Sequence, residues 1–207
     1  MALSNYTELK SAIADFLNRD DLTSVLPTFV ALAEAQINRD VRHFRMENRS
    51  SGQQSAGDAY SQVPADWIET IRFSVTGSTV TELKLISRAD MGDMRMSSDI
   101  AGPIRYYSHE AQQFHFYPTP GSDTDVELLY YAKVPDLASN TTNWLLTEAP
   151  DVYLYGSLIH AAPYLQDDAR MATWAQLYSA AVARLNESSD KARYSGSGLK
   201  MKLRGLK

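Results

Sequence analysis

From Asn5 to Leu17 the apolar residues Tyr6, Leu9, Ile13, Phe16 and Leu17 recur every three or four positions, with Asn5 and Glu8 placed as a capping pair. This spacing predicts an amphipathic helix. After a polar break at Asn18 to Asp21, Ser24 can cap a second helix whose Pro27 falls in the first turn, where a missing amide donor costs little. The stripe of that helix, Phe29, Leu32, Ala33, Gln36, Ile37, Val41 and Phe44, carries it to about Arg45, and Arg39, Arg42 and Arg45 mark the opposite face. From Met46 to Asn143 the pattern changes to short aromatic and β-branched stretches punctuated by Pro and Gly. Strands are predicted at Trp67 to Thr76, Val80 to Ile86, Arg105 to Ser108, Gln113 to Tyr117 and Val126 to Val134, mostly antiparallel because the connections are too short for crossover helices. Between Arg88 and Pro103 lies a longer excursion carrying Met91, Met94 and Met96, read as filler of an irregular contact surface.

Helical spacing returns at Pro150, with Val152, Tyr155, Ile159 and Ala162 in one stripe, and Pro163 is expected to end or kink that helix. A further helix starts near Asp167 or Asp168, buries Met171, Trp174, Leu177, Tyr178, Ala181 and Leu185, and ends around Asn186. Helices at both ends of a chain flanking a β-rich stretch imply an α+β fold. The expected architecture is a helical bundle from residues 5–45 and 150–186, an inserted antiparallel β-rich module over 52–143, and an extended basic C-terminal arm over 187–207. Trp67, Trp144, Tyr155 and Trp174 serve as anchors of the core or between layers, with Trp144 the one partly exposed at an interface.

Composition adds three constraints. A chain of 207 residues buries roughly 70% of its surface on folding, so no disulfide or metal staple is needed. There is no cysteine, hence no thiolate metal site and no cysteine nucleophile. The N-terminus lacks the pattern of a signal peptide, and the apolar runs fall far short of the ~20 residues of a membrane helix, so neither secretion by a leader nor a membrane partner is expected. Charge is divided unevenly. Asp190 to Lys207 carries Lys191, Arg193, Lys200, Lys202, Arg204 and Lys207 against Asp190 alone, a net +5 that leaves the preceding residues at −10.

The search for chemistry gives no catalytic constellation. There is no phosphate-binding loop, no nucleophile elbow and no His pair at metal-ligand spacing, so no catalytic residue, metal or cofactor is expected. Ser188 and Lys191 have the spacing of a Ser/Lys pair, but in a polar segment the lysine stays solvated and protonated. Asp20-Asp21 and Asp167-Asp168 suit helix starts. Two competing functions remain to be tested by geometry: a hydrolytic enzyme built on His109, His115 and Glu110, and a non-specific DNA-binding factor acting through the basic arm. The body at −10 opposes the second.

Two features have a bland and a sharp reading. The Arg39, Arg42, Arg45 series is a solvated face that complements a helix C-terminus, or a charged interface. The arm is a solubilising tail, or, through the alternation of Leu199, Met201 and Leu203 with Lys200, Lys202 and Arg204, a strand laid on another protein's sheet edge.

Several segments together resemble a known family. They are Asn5-Tyr6-Thr7-Glu8-Leu9-Lys10, the helix from Pro27 to Arg39, Val63-Pro64-Ala65-Asp66-Trp67, Phe114-His115-Phe116-Tyr117-Pro118-Thr119-Pro120, Val126 to Tyr131, and the helices from Pro150 to Tyr178. Their succession over residues 5 to 190 is similar to the head-to-tail adaptor proteins of tailed bacteriophages, the tail tubular protein A type of short-tailed phages. The resemblance implies a non-enzymatic virion protein, assembled in the host cytoplasm, that forms a homo-oligomeric, usually dodecameric, ring beneath the portal protein. The ring supports the tail or nozzle protein and lets genomic DNA through without sequence-specific binding. It also implies a portal-binding role for Leu199, Lys200, Met201, Lys202, Leu203 and Arg204. Arg39, Arg42, Arg45, Met91, Met94, Met96 and Trp144 are the expected subunit or tail interface.

Overall fold

The computed structural model describes residues 3–98, 100–165 and 168–195. In chain order the elements are α1 (Tyr6–Leu17), α2 (Leu26–Asp40), a 3₁₀ turn (Phe44–Met46), β1 (Glu47–Gln54), β2 (Tyr60–Gln62), β3 (Trp67–Val75), β4 (Thr81–Glu82), β5 (Lys84–Leu85), α3 (Arg88–Ser97), β6 (Ala101–Gly102), β7 (Tyr106–Glu110), β8 (Gln113–Tyr117), β9 (Thr119–Pro120), β10 (Thr124–Ala132), α4 (Trp144–Glu148), α5 (Pro150–Leu165) and α6 (Asp168–Tyr194). The fold is α+β, and the chain divides into a helical unit (Met1–Phe44 with Val134–Lys207) and a β-rich unit (Arg45–Lys133).

In the helical unit, α1 starts as its sequence demands: the Asn5 side chain accepts the Glu8 N–H at 2.9 Å, and the Glu8 carboxylate reaches back to Ser4 rather than to Asn5. Asn18 closes α1 in the left-handed region at φ 52°, a conformation that Asn tolerates. Helix α2 begins at Leu26 with Pro27 in its first turn, but Val25, not Ser24, occupies the cap position. It also stops at Asp40, short of the expected Arg45. Beyond it the backbone amides turn to side chains of α6: Arg42 N–H donates to Asn186 Oδ1 at 3.1 Å and Phe44 N–H to Ser189 Oγ at 2.9 Å. Those acceptors outcompete continuation of the helix.

Helix α5 is the centre of the unit, with Val152, Tyr153, Leu154, Gly156, Ser157, Leu158, Ala161 and Ala162 all buried. Of the expected stripe Val152 and Ala162 are buried while Tyr155 and Ile159 are half-buried, because packing on several sides replaces a single apolar face. A Cβ built on Gly156 would lie 3.3 Å from Ala33 Cβ of α2 and 3.4 Å from the Tyr178 ring of α6, so glycine is what lets these helices approach. Pro163 sits inside the last turn of α5 and does not end it, since the helix runs two residues further. Helix α6 continues through Tyr194, beyond the expected end at Asn186, so residues 187–194 of the expected arm are helical; Asp167 lies outside the described residues.

The segment from Val134 to Asn143 is pinned to this bundle by α2. Val134 N–H donates to Asn38 Oδ1 at 2.9 Å and Leu137 N–H to Glu34 Oε1 at 2.8 Å, from side chains one helical turn apart. Asn143 caps α4 through Leu146 N–H and donates its amide to Tyr153 Oη at 2.7 Å. The capped turn α4 has no periodic signature and is absent from the sequence expectation.

The β-rich unit stacks two four-stranded sheets, ordered β1-β10-β3-β4 and β2-β8-β7-β5, with a small β6-β9 pair. Ladders are antiparallel except the two-residue pairs β5–β7 and β6–β9, which are parallel. Phe73 of one sheet meets Tyr107, Phe114 and Phe116 of the other edge-on, at ring separations of 5.0 to 5.3 Å; such pairs are worth roughly 0.5–1.5 kcal/mol each beyond area burial. Val126, Leu128 and Tyr130 complete the core. Strands β7 and β8 join through Ala111 and Gln112, both at positive φ as a two-residue hairpin turn requires. The region Arg88 to Pro103, expected to be irregular, holds α3, capped by Ser87 Oγ accepting from Asp90 N–H.

Glu34 provides a pH test of the α2 clamp. Burial raises its carboxyl above the ordinary value of 4.5, more than the Leu137 N–H lowers it. A raised folded-state value means that its contribution to stability is fully present below the unfolded value and is lost as pH rises through the folded one. Glu34→Gln keeps an acceptor for Leu137 without the charge, so the variant is expected to be at least as stable as wild type at pH 7, with the difference shrinking toward pH 4. Thermal unfolding across that range checks this; a deficit that grows toward pH 7 contradicts it.

Candidate functional site

The hairpin β7–β8 carries the His and carboxylate groups singled out above, and alternation along its strands separates them. His109 lies opposite Phe114 and His115 opposite Ser108, so the two imidazoles project from opposite faces of the hairpin. On one face His109 packs against Trp67 and Phe114, at 4.9 and 5.0 Å between ring centres. Desolvation by these neighbours pushes its pKa down, although part of the ring reaches solvent. On the other face His115 is buried, its ring stacked on Tyr60 at 4.5 Å.

Arg95 of α3 fixes the role of His115. Its guanidinium Nη1 lies 2.7 Å from Nε2, and because guanidinium only donates, Nε2 is the acceptor. Nδ1 faces Glu110 Oε1 at 3.2 Å, off the line of a hydrogen bond, while the same oxygen accepts from Ser108 Oγ at 3.3 Å. This order resembles a relay, but the nitrogen that would activate a nucleophile is already occupied by Arg95. The arrangement pins α3 to the hairpin, and the hydrolase reading on His109, His115 and Glu110 is set aside.

The Ser188 and Lys191 pair is likewise accounted for locally. Ser188 Oγ donates to Leu185 O at 2.7 Å and lies 3.5 Å from His43 Nε2, whereas Lys191 pairs with Glu187 at 2.7 Å on the exposed face of α6. Among the described residues no group of His, Cys, Asp and Glu is arranged to hold a metal, and no helix is long and apolar enough to cross a membrane.

The expected interface residues fall into different environments. Arg39 is exposed in the last turn of α2. Arg42 folds back, donating to Asn38 O at 2.9 Å and Val41 O at 2.7 Å, and so terminates the helix. Arg45 is exposed in the 3₁₀ turn and has an interaction partner. Trp144 is half-buried and stacked on His43 at 5.1 Å. Met91 is fully buried, Met94 is half-buried, and Met96 is 90% exposed, so the methionines are not one surface. Leu199, Lys200, Met201, Lys202, Leu203 and Arg204 lie outside the described residues.

Phe16, Leu32, Tyr164, Met171 and Leu177 of the helical unit are exposed large apolar side chains. Phe16, Leu32, Met171 and Leu177 belong to the apolar stripes expected to be buried, and the structure leaves them at the surface. A cleft of about 600 Å³ beside the hairpin turn is lined by Trp67, His109, Glu110, Gln113 and Lys133. In the β-rich unit, β1 reads as polar throughout and was missed as a strand; its pairing with β10 forms it.

The methionines separate packing from surface. Met91→Ala is expected to cost about 2–5 kcal/mol and Met96→Ala no more than about 0.5 kcal/mol, measured by denaturant unfolding. Equal losses for the two variants contradict this placement.

The sequence profile of the SU10 adaptor protein family matches residues 4–201. No curated protein matches the chain. The profile runs through every element described above, from α1 to α6, and the family is a structural one of bacteriophage adaptors rather than an enzyme family. The chain belongs to the SU10 adaptor protein family, in keeping with the phage head-to-tail adaptors that its sequence resembles.

Proposed function

We propose that the protein works by assembly: copies form a dodecameric ring beneath the portal, the ring is the platform for the tail or nozzle protein, and genomic DNA passes through its lumen. The observation that carries this reading is the family match over residues 4–201, which takes in both the helical and the β-rich unit. Two physical features support it. Phe16, Leu32, Tyr164, Met171 and Leu177 leave apolar surface that association covers. Ahead of the basic C-terminal stretch the chain is at −10, a charge that keeps phosphate from adhering if its carboxylates line the lumen.

On this reading Arg39, Arg45, Met96 and the half-buried Trp144 contribute to contacts with neighbouring copies or the tail. Each interface is weak alone and many close together once the portal supplies the template, so assembly in the host cytoplasm waits for a finished portal. The molecular mass of the protein, alone and mixed with the portal protein of the same virus, tests this by sedimentation. A ring found only with the portal is the expected result. A tight closed dimer, or no association with the portal, overturns the reading.

A further inference from the structure

Three of the four edges of the two four-stranded sheets in the β-rich unit are blunted by their length. Strands β4 and β5 have two residues each and β2 has three, and Pro64 follows β2 closely. The fourth edge is different. β1 is eight residues long, pairs with β10 in continuous register from Glu47↔Tyr131 to Gln54↔Thr124 without a bulge, and contains neither Lys nor Pro. Among the described residues it has a strand neighbour on one side only. Alternate N–H and C=O groups therefore face outward as a template for one more strand, with the Arg49 N–H held meanwhile by its own neighbour, Asn48 Oδ1, at 2.9 Å.

The two faces of β1 differ. On the core side Asn48, Ser50 and Gly52 lie opposite Tyr130, Leu128 and Val126. There a recess of about 80 Å³ opens between β1 and β2, rimmed by Ser50, Gly52 and Ser61 and floored by Phe73, Phe114, Val126 and Leu128. It has room for one aliphatic side chain. On the outer side Glu47, Ser51 and Gln53 lie beside Tyr131, Glu127 and Asp125, a row richer in carboxylates than in cations, with Arg49 and Arg72 both held by Glu127. A strand that fits must be apolar on one face and cationic on the other.

We propose that the free edge of β1 is a strand-acceptor site and that residues 199–204 of a second copy are the strand it takes. Leu199, Met201 and Leu203 alternate with Lys200, Lys202 and Arg204, which puts the aliphatic groups on the face of the recess, one of them over it, and the cations on the face of the outer carboxylates in a single register. Net charges also match: Arg45–Lys133 holds eight basic against twelve acidic residues, whereas Asp190 to Lys207 is +5. Leu199 follows Ser195 by four residues, so the strand starts within roughly 14 Å of the end of α6 when that linker is fully extended, and residues 199–204 add roughly 20 Å of strand. The inference rests on the proposed ring only for the source of the strand, an adjacent copy.

The protein has no cysteine, so single-cysteine full-length variants report the site directly. Ser50→Cys and Met201→Cys chains are mixed under mild oxidation, with Asp20→Cys, exposed near the α1–α2 turn, as the control partner for Met201→Cys. The 50–201 product is expected to form at least about tenfold faster than the 20–201 product, because docking raises the local thiol concentration toward millimolar. Failure of that preference overturns the site, and a dominant 50–50 product shows β1 edges pairing with each other and overturns the occupant. An intramolecular product in the doubly substituted chain, or an arm that cross-links only to added portal protein, also overturns the occupant. Sedimentation of the same mixtures with portal keeps the two readings apart: a ring without the 50–201 product removes the strand site alone, and the product without a ring supports the site while removing the ring.

Discussion

The close meeting of α5 with α2 and α6 at Gly156 is the constraint on which the helical unit depends. Its lack of a side chain brings Ala33 and Tyr178 to within contact of one backbone position, and the neighbouring turns of α5 are then buried on several sides, Tyr153 and Leu158 completely. A β-carbon there would press on another backbone-attached methyl, which cannot swing aside as the end of a long side chain can. Once α2 is fixed on α5, Glu34 and Asn38 stand where the segment after β10 must pass and accept its amides. Asn143, held by Tyr153, starts α4 from the same framework. Packing sets the positions, and the polar clamps read them out.

In the β-rich unit the same logic ties polar groups into the packing. Phe73 and the three rings it touches close two sheets over a dry core. The polar groups that look chemical are spent on cohesion: Arg95 occupies His115, and Tyr130 donates to Asp66 at 3.0 Å while accepting from Asn48 at 3.1 Å. The β-rich unit, whose β1 edge has no second strand neighbour among the described residues, and the helical unit, with its exposed apolar side chains, each offer surface by which the chain can be joined to others.

Much of this was legible in the pattern of residues, and the misses share a physical cause. Periodicity marks elements that bury one face, which is why α1 and β10 stand out, whereas α5 and β8, buried on more than one side, stand out by their apolar and aromatic content. β1 exposes six of its eight residues and exists because β10 offers it a ladder, so nothing in Glu47–Gln54 announces a strand. The turn at Ala111 and Gln112 lacks the Asn-Gly signature because the paired strands impose its positive φ values. α2 ends early because Asn186 and Ser189, some 145 positions away in sequence, accept the next amides. That Glu110 comes within 3.2 Å of His115 while Arg95 occupies the other ring nitrogen depends on strand register and on α3, which no local pattern reveals. The division of charge between an acidic body and a basic arm needed no structure, and it is what gives the β1 edge a complementary strand within the same sequence.

The central claim is that this chain acts by occupying a place in an assembly. Electron cryomicroscopy of the head–tail junction in intact particles of the virus tests it most directly. The account predicts a closed dodecameric ring of this chain between portal and tail, with both units of every copy in the density and a continuous central channel. Its absence from the junction, or its presence as isolated copies elsewhere in the particle, would contradict the account.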